Sequence, residues 1–325
     1  MKVLICPLNW GLGHATRCIP LIDQYIQQGH IVHIATDGIA LKLLQERYPQ
    51  LRFWHAPSYS IRYSKGTSQV AKLLFQLPGI VKSIFQEHSW LKKHVNAESY
   101  DLILSDNRFG MWHSTIKSVY ITHQLQIKMP DGIKFLEPIA WWLHRQIIKQ
   151  YAECWIPDFS GTNNLSGELS HGKPLLPNTV YIGPLSRFSF LKASPSVNVF
   201  DAVCIVSGPE PQRTLFETQL LRRFSNYSGK VLLLRGLPGS ENTLNHTENI
   251  HVKNSLNDVD LAGYLLSCNK IICRSGYSTI MDLYTLNCLH KAEMIATPGQ
   301  TEQQYLQKLY LHKYSVQNRH TIDLK

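Results

Sequence analysis

Val3-Leu4-Ile5-Cys6, followed closely by Asn9-Trp10-Gly11-Leu12-Gly13-His14-Ala15-Thr16-Arg17, is the stretch that decides the fold. Four apolar residues in a row, two of them β-branched, read as a strand buried on both faces. Gly11 and Gly13 then allow a tight turn, and a helical pattern runs from about His14 to Gln28, where Gly29 supplies the stop. Ile31-Val32-His33-Ile34-Ala35 is the next strand. Moving outward, the same alternation yields strands at Leu51–His55, Leu102–Ser105, Ser118–Thr122 and Cys154–Pro157. It lapses over Leu185–Val199, which reads as a linker, and resumes at Ala202–Val206, Val231–Leu234, Ile250–Lys253, Lys270–Cys273 and Ala292–Ala296. Alternating strands and helices form mostly parallel sheets covered on both faces, so the expectation is an α/β chain of two Rossmann-like domains, 1–190 and 191–325. Two such domains face each other across a cleft at the carboxyl ends of their strands.

Composition agrees with 325 residues in two buried cores: 44% of residues are hydrophobic and 17% charged, too apolar for a disordered chain. Lysine and arginine outnumber acids 33 to 23, and the resulting +10 favours anionic partners. Nucleic acid is not expected among them, because no recognisable binding module is present. The seven cysteines are odd in number and form no C-x-x-C pair, which reads as reduced thiols in a cytoplasmic protein. No run approaches the roughly 18 apolar residues of a spanning helix, so membrane contact would be peripheral, at the inner face.

The candidate chemistry sits in the loops after the strands. In the first domain Gly11, Gly13 and Arg17 frame His14, placed where a helix N-terminus lowers a histidine's pKa and favours the neutral imidazole a general base requires. Asp106, at the end of the strand Leu102–Ser105, is the expected partner that would fix its tautomer. The same residues also fit a plain glycine turn with a capping histidine and a turn aspartate. In the second domain Cys273-Arg274-Ser275-Gly276-Tyr277-Ser278-Thr279-Ile280-Met281-Asp282-Leu283 runs from a strand through a small-residue turn into a helix. Arg274, Ser275, Gly276, Ser278 and Thr279 could meet a diphosphate, with Asp282 one turn on for a ribose diol. Thr297-Pro298-Gly299-Gln300-Thr301-Glu302-Gln303-Gln304-Tyr305 opens another helix, and its amides Gln300, Gln303 and Gln304 suit sugar hydroxyls. Ser207 and Gly208 lie in a further small-residue loop, with Arg213 as a leaving-group cation or a surface arginine, and Arg235 ends a strand near the place for a base. Asp258-Val259-Asp260 has the form of a metal-binding pair, but its position before Leu261–Leu266 reads better as a helix cap.

Taken together, the second-domain loops resemble those of the MurG-like glycosyltransferases, the bacterial peptidoglycan N-acetylglucosaminyltransferase family. The likeness is close over Cys273–Leu283, good over Pro298–Tyr305 and looser elsewhere, and the Gly-x-Gly-His loop is similar to that family's first-domain loop. The resemblance implies a GT-B architecture and an inverting, metal-independent transfer with no cofactor. The donor would be a UDP-sugar, UDP-GlcNAc the nearest example, and the acceptor a lipid-linked or cell-envelope molecule. It places His14 at the reacting centre, Ser275–Thr279 at the diphosphate, Asp282 at the ribose, and Gln303 and Gln304 at the sugar. The family carries a glutamate where Asp282 stands, and its proline-to-glutamine interval is about two residues longer, so the chain reads as a relative of the peptidoglycan enzyme. Two alternatives stay open: a hydrolase of the same architecture, whose Gly-x-Gly-His-x-x-Arg loop Gly11–Arg17 also fits, and a non-catalytic nucleotide-sugar sensor. Between Ile61 and Val95 six lysines and arginines stand against one acid, Glu87, interleaved with Phe75, Phe85 and Trp90; Trp141-Trp142 follows. An anionic membrane surface is a further candidate partner on that ground, the alternative being core residues beneath a solvated basic face.

Overall fold

The structure, a computed structural model, describes residues 1–57, 69–197, 199–241 and 248–322, with side chains inside helices omitted at 69–77, 96–97 and 314–322. Seven strands form the first sheet: β1 (Lys2–Pro7), β2 (Ile31–Thr36), β3 (Arg52–His55), β4 (Leu102–Asp106), β5 (Lys117–Ile121), β6 (Glu153–Ile156) and β7 (Thr179–Tyr181). Five form the second: β8 (Ala202–Ile205), β9 (Val231–Leu234), β10 (Ile250–Lys253), β11 (Lys270–Arg274) and β12 (Ala292–Ile295). Every pairing is parallel, in the orders β3-β2-β1-β4-β5-β6-β7 and β10-β9-β8-β11-β12. Each sheet therefore reverses its winding once, between β1 and β4 in the first and between β8 and β11 in the second. Ligands of open parallel sheets bind at such reversal points, because the loops on either side diverge and leave a crevice.

The strands form where apolar runs can be covered on both faces: Val3, Leu4, Ile5, Ile103, Leu104, Val203, Ile271 and Ile272 are fully buried. The helices that cover the sheets and matter for the site are α1 (Gly13–Gln27), α2 (Gly38–Arg47), α3 (Gln69–Glu98), α4 (Glu137–Ile148), α5 (Gln212–Phe224), α6 (Asp258–Ser267), α7 (Tyr277–Thr285) and α8 (Thr301–Ile322). One apolar core runs from Ile19 and Ile22 of α1 to Ile280 and Leu283 of α7, so the two units close directly on each other. Helix α8 leaves the second sheet and lies against the 164–169 segment of the first unit. There the Glu168 amide donates to the Tyr305 hydroxyl (2.7 Å), and Lys313 donates to the Asn164 carbonyl (2.8 Å).

All seven cysteines are buried and none is paired; burial pushes the thiols of Cys6, Cys154, Cys204 and Cys273 up to about 12, which makes them inert. Among the described residues no helix is long and apolar enough to cross a membrane. Of the basic flank, Arg62 and Lys65 and the side chains of Lys72 and Phe75 lie outside the described residues. Glu87 is fully buried and accepts from Arg108 Nε at 2.8 Å, so it belongs to the core rather than to the charge balance of the surface.

Candidate active site

β1 and β4 are neighbours in register, with Pro7 opposite Asp106, so the loop leaving β1 must pass the end of β4. That register brings His14, in the first turn of α1, onto the carboxylate: His14 Nδ1 lies 2.8 Å from Asp106 Oδ1. Arg17, one helical turn later, grips the same carboxylate with two nitrogens, Nε at 2.5 Å from Oδ2 and Nη2 on Oδ1. Burial alone would raise the Asp106 carboxyl, but the Arg17 guanidinium and His14 hold it well below the usual range. Burial and the adjacent Arg17 charge lower the pKa of His14. The pair is thus a carboxylate and a neutral imidazole whose Nδ1 donates, leaving Nε2 to accept a proton.

The glycine loop does not end in open space. Ser278 Oγ, in the first turn of α7, donates to the Gly13 carbonyl at 2.8 Å. A Cβ on Gly13 would stand 2.9 Å from that hydroxyl, so only glycine allows the two helix starts to approach this closely. Gly11, at φ +78°, faces Gly208 of the β8–α5 loop, and a Cβ there would come 3.9 Å from the Gly208 Cα. The N-termini of α1 and α7 carry no side-chain cap, in contrast to α6, where Asn257 accepts from the Asp260 amide at 2.9 Å. Two sets of free backbone N–H groups therefore meet where the two reversal points face each other, and a Cβ at Gly276 would find open space.

No protein-family model and no curated protein matches the chain. Solved structures do. The Streptomyces sp. SF2575 glycosyltransferase SsfS6 superposes at a TM-score of 0.52 and 13% identity, over 96% of this chain and 86% of that one. The spinosyn rhamnosyltransferase SpnG complexed with thymidine diphosphate gives 0.55 and 15%, over 94% and 84%. MnaA of S. aureus with UDP gives 0.53 and 13%, over 95% and 87%. The fold is GT-B.

Within this GT-B frame the other expected site residues divide sharply. Ser207 and Gly208 follow β8 and Thr279 stands partly exposed in the first turn of α7, all at the reversal point of the second sheet. Gln300, in the loop before α8, is half-buried and Gln304 is exposed. Several expectations need correction. Ser275 is buried and its hydroxyl donates to the Gln303 carbonyl at 2.8 Å, while the Gln303 side chain turns back to accept from the Thr297 amide at 2.9 Å. The Ser275 hydroxyl is thereby committed to the fold, and the Gln303 side chain is held by its oxygen against the Thr297 amide. Asp282 faces the connecting segment, not a ribose site: Ser186 Oγ donates to it at 2.6 Å and Arg187 Nε at 3.1 Å. Burial raises its carboxyl, with Arg187 opposing. Arg213 is neither a surface arginine nor a leaving-group cation. Buried, it pairs with Glu210 and Glu217 at 2.6 Å each, and Arg235 shares Glu217 at 3.0 Å, so two carboxylates meet the two guanidinium charges. Arg274 is buried over the Phe216 ring at 3.9 Å, donating to the Ala296 carbonyl at 2.9 Å, and burial lowers it to about 10. Arg17 is a support of Asp106 at 1% exposure rather than a loop residue for an acceptor. Asp258 pairs with Arg47 and Arg187 and Asp260 with Asn257, so the D-x-D is a first-turn pair whose cap is Asn257.

Two residues of the site escaped the sequence reading. His123, just past β5, lies 2.9 Å through Nδ1 from Arg17 Nη1 and 2.8 Å through Nε2 from Glu302 Oε1. Its ring stacks on Tyr277 at 4.2 Å and 4°. The available signal was positional: Asp106 ends β4, and His123 follows the carboxyl end of its neighbour β5.

Proposed function

We propose that this chain is an inverting glycosyltransferase, a relative of the MurG-like enzymes, moving a sugar from a UDP-sugar to an acceptor hydroxyl without a metal. The observation that carries the reading is the contact of Ser278 with Gly13, which sets the uncapped start of α7 against the loop bearing the His14–Asp106 pair. On this reading the acceptor hydroxyl gives its proton to His14 Nε2 and its oxygen attacks the anomeric carbon. The bond from that carbon to the diphosphate oxygen breaks on the opposite face, and configuration inverts. The departing diphosphate takes its hydrogen bonds from the amides at the start of α7, replacing Ser278's bond to Gly13. N-acetylglucosamine is the first donor sugar to try.

A thermal-shift panel of nucleoside diphosphates and their sugars tests the donor. Uridine diphosphate at about 100 times its Kd should add about 2.7 kcal/mol of stability, while a panel with no shift at all removes the donor site. Sugar released at the full rate without acceptor would identify hydrolysis in place of transfer.

The acceptor side has its own support. Ile139, Trp142 and Leu143 recur at helical spacing on α4 and are 55%, 56% and 51% exposed; Phe135, in the short turn before α4, is 73% exposed beside exposed Lys134, which pairs with Asp131 at 2.6 Å. Val81 and Phe85 of α3 are likewise exposed, near Lys82 in sequence. An apolar face with tryptophan and basic neighbours suits an anionic lipid surface at which a lipid-linked acceptor is met from the cytoplasmic side. The chain should sediment with phosphatidylglycerol vesicles and not with phosphatidylcholine alone, and Phe135→Glu with Trp142→Glu should abolish this. Equal recovery of the wild type and the double variant removes the membrane contact.

A further inference from the structure

We infer that His123 and Glu302 are positioning residues: with Arg17 and Asp106 they form one directed chain of hydrogen bonds through which the second unit's helix α8 sets the proton of His14. The inference deepens, and rests on, the reading of His14 as the base.

The direction of the chain follows from donor chemistry alone. A guanidinium has five N–H donors and no acceptor. Arg17 Nη1 stands 2.9 Å from His123 Nδ1, so that nitrogen must offer its lone pair. The His123 proton is then on Nε2, donated to Glu302 Oε1 at 2.8 Å. The ring is 5% exposed and lies flat on Tyr277, whose hydroxyl is tied to the Pro157 carbonyl at 2.9 Å, so rotation to the other orientation is blocked. At the other end Arg17's remaining nitrogens fix Asp106, and Asp106, an anion with acceptors only, takes the Nδ1 proton of His14. Every proton from Glu302 to His14 is assigned, and the one imidazole nitrogen left to accept is His14 Nε2. The origin of the chain matters. Glu302 sits in the first turn of α8, immediately after the 297–301 loop expected at the donor sugar, so a change there reaches the base through groups that touch neither substrate.

Removing the acceptor at 302 strands the Nε2 proton of a buried ring. The alternative tautomer would aim Nδ1–H at the Arg17 cation, loosening Arg17 and with it the hold on His14. The charged and titratable groups facing His14 are Arg17 on its own helix, Asp106 on β4, His123 after β5 and Glu302 on α8. Glutamine keeps the acceptor and removes the negative charge that favours protonated His14. The base then loses its proton more readily, so the acid limb of kcat/KM moves to lower pH.

The test compares the wild type with Glu302→Gln and Glu302→Ala. At optimal pH, Glu302→Gln should keep kcat within about threefold and move the acid limb down by a few tenths of a pH unit, as expected of one partly solvated charge. Glu302→Ala should lower kcat roughly 10- to 100-fold, the scale seen when a group that orients an active side chain is deleted. Affinity for uridine diphosphate should stay unchanged in both. Long-range proton–nitrogen spectra of the imidazoles give a readout that needs no turnover. The wild type should show protonated Nε2 at His123 and protonated Nδ1 at His14, and Glu302→Ala should shift both sets. A His123 proton on Nδ1, His14 nitrogens unmoved by Glu302→Ala, or an unmoved acid limb in Glu302→Gln each overturns the inference. The expected tautomers in a protein that binds no nucleotide sugar would instead sink the transferase reading and leave the chain standing.

Discussion

Replacing His14 by alanine should cut turnover roughly 10²- to 10⁴-fold, the range for losing a general base, while affinity for the nucleotide stays within about twofold. The two effects separate because His14 meets the carboxylate and not the uncapped start of α7. Its imidazole has what a base needs near neutral pH. Burial and Arg17 depress its pKa, so it is already deprotonated, and Asp106 2.8 Å away stabilises the imidazolium that forms when it accepts a proton. The variant should fold normally, since Asp106 keeps both bonds from Arg17 and is never left buried and bare. Saturating-donor kinetics beside calorimetric titration of uridine diphosphate would show the split. Full turnover in the alanine variant would end the case for His14 as base.

That pair was legible in the sequence for a topological reason. Once two strands are known to be buried and parallel, the residues just past their carboxyl ends share one edge of the sheet. His14 and Asp106, 92 positions apart, are such residues. The same logic located the loops after β8 and β11, and apolar runs located eleven of the twelve strands. The exception, β7, is three half-exposed residues, Thr179–Tyr181, too short to carry a pattern. Side-chain partners were another matter. Arg213 and Glu217 are four apart on a helix, so their pairing could have been read, but Arg235 joining them depends on β9 lying beside β8. Asp282 was given to a ribose because it shares a helix face with Ser278, whereas the chain returning through Ser186 and Arg187 had already taken it. His123 and Glu302, 179 residues apart, meet only because α8 crosses back to the first unit, and no spacing rule anticipates a crossing.

Asp106→Asn is expected to damage stability and chemistry at once. Asp106 is fully buried and Arg17 is 1% exposed, so the substitution leaves a guanidinium in the interior without its counter-charge, at a cost of about 3–5 kcal/mol. An amide cannot repair the site. It offers one oxygen to two guanidinium N–H groups and an imidazole N–H, and its own NH₂ faces donors. The loss should depend on pH with a definite sign. The native carboxyl is depressed below its unfolded value, so its stabilisation is complete above about pH 4 and fades as pH falls through the native value. Urea melts of the wild type and the variant should therefore converge in acid. With no anion to accept from Nδ1, His14 is free to take the other tautomer, and kcat should fall by about 10⁴, as when the carboxylate that orients a catalytic histidine becomes an amide. Arg17→Met with Asp106→Leu separates the two losses, because exchanging a buried ion pair for apolar residues of similar size is close to neutral. That double variant should recover most of the lost stability yet stay inactive. Activity regained together with stability would mean that the carboxylate serves only the fold, and His14 would then lack the partner that makes it a base.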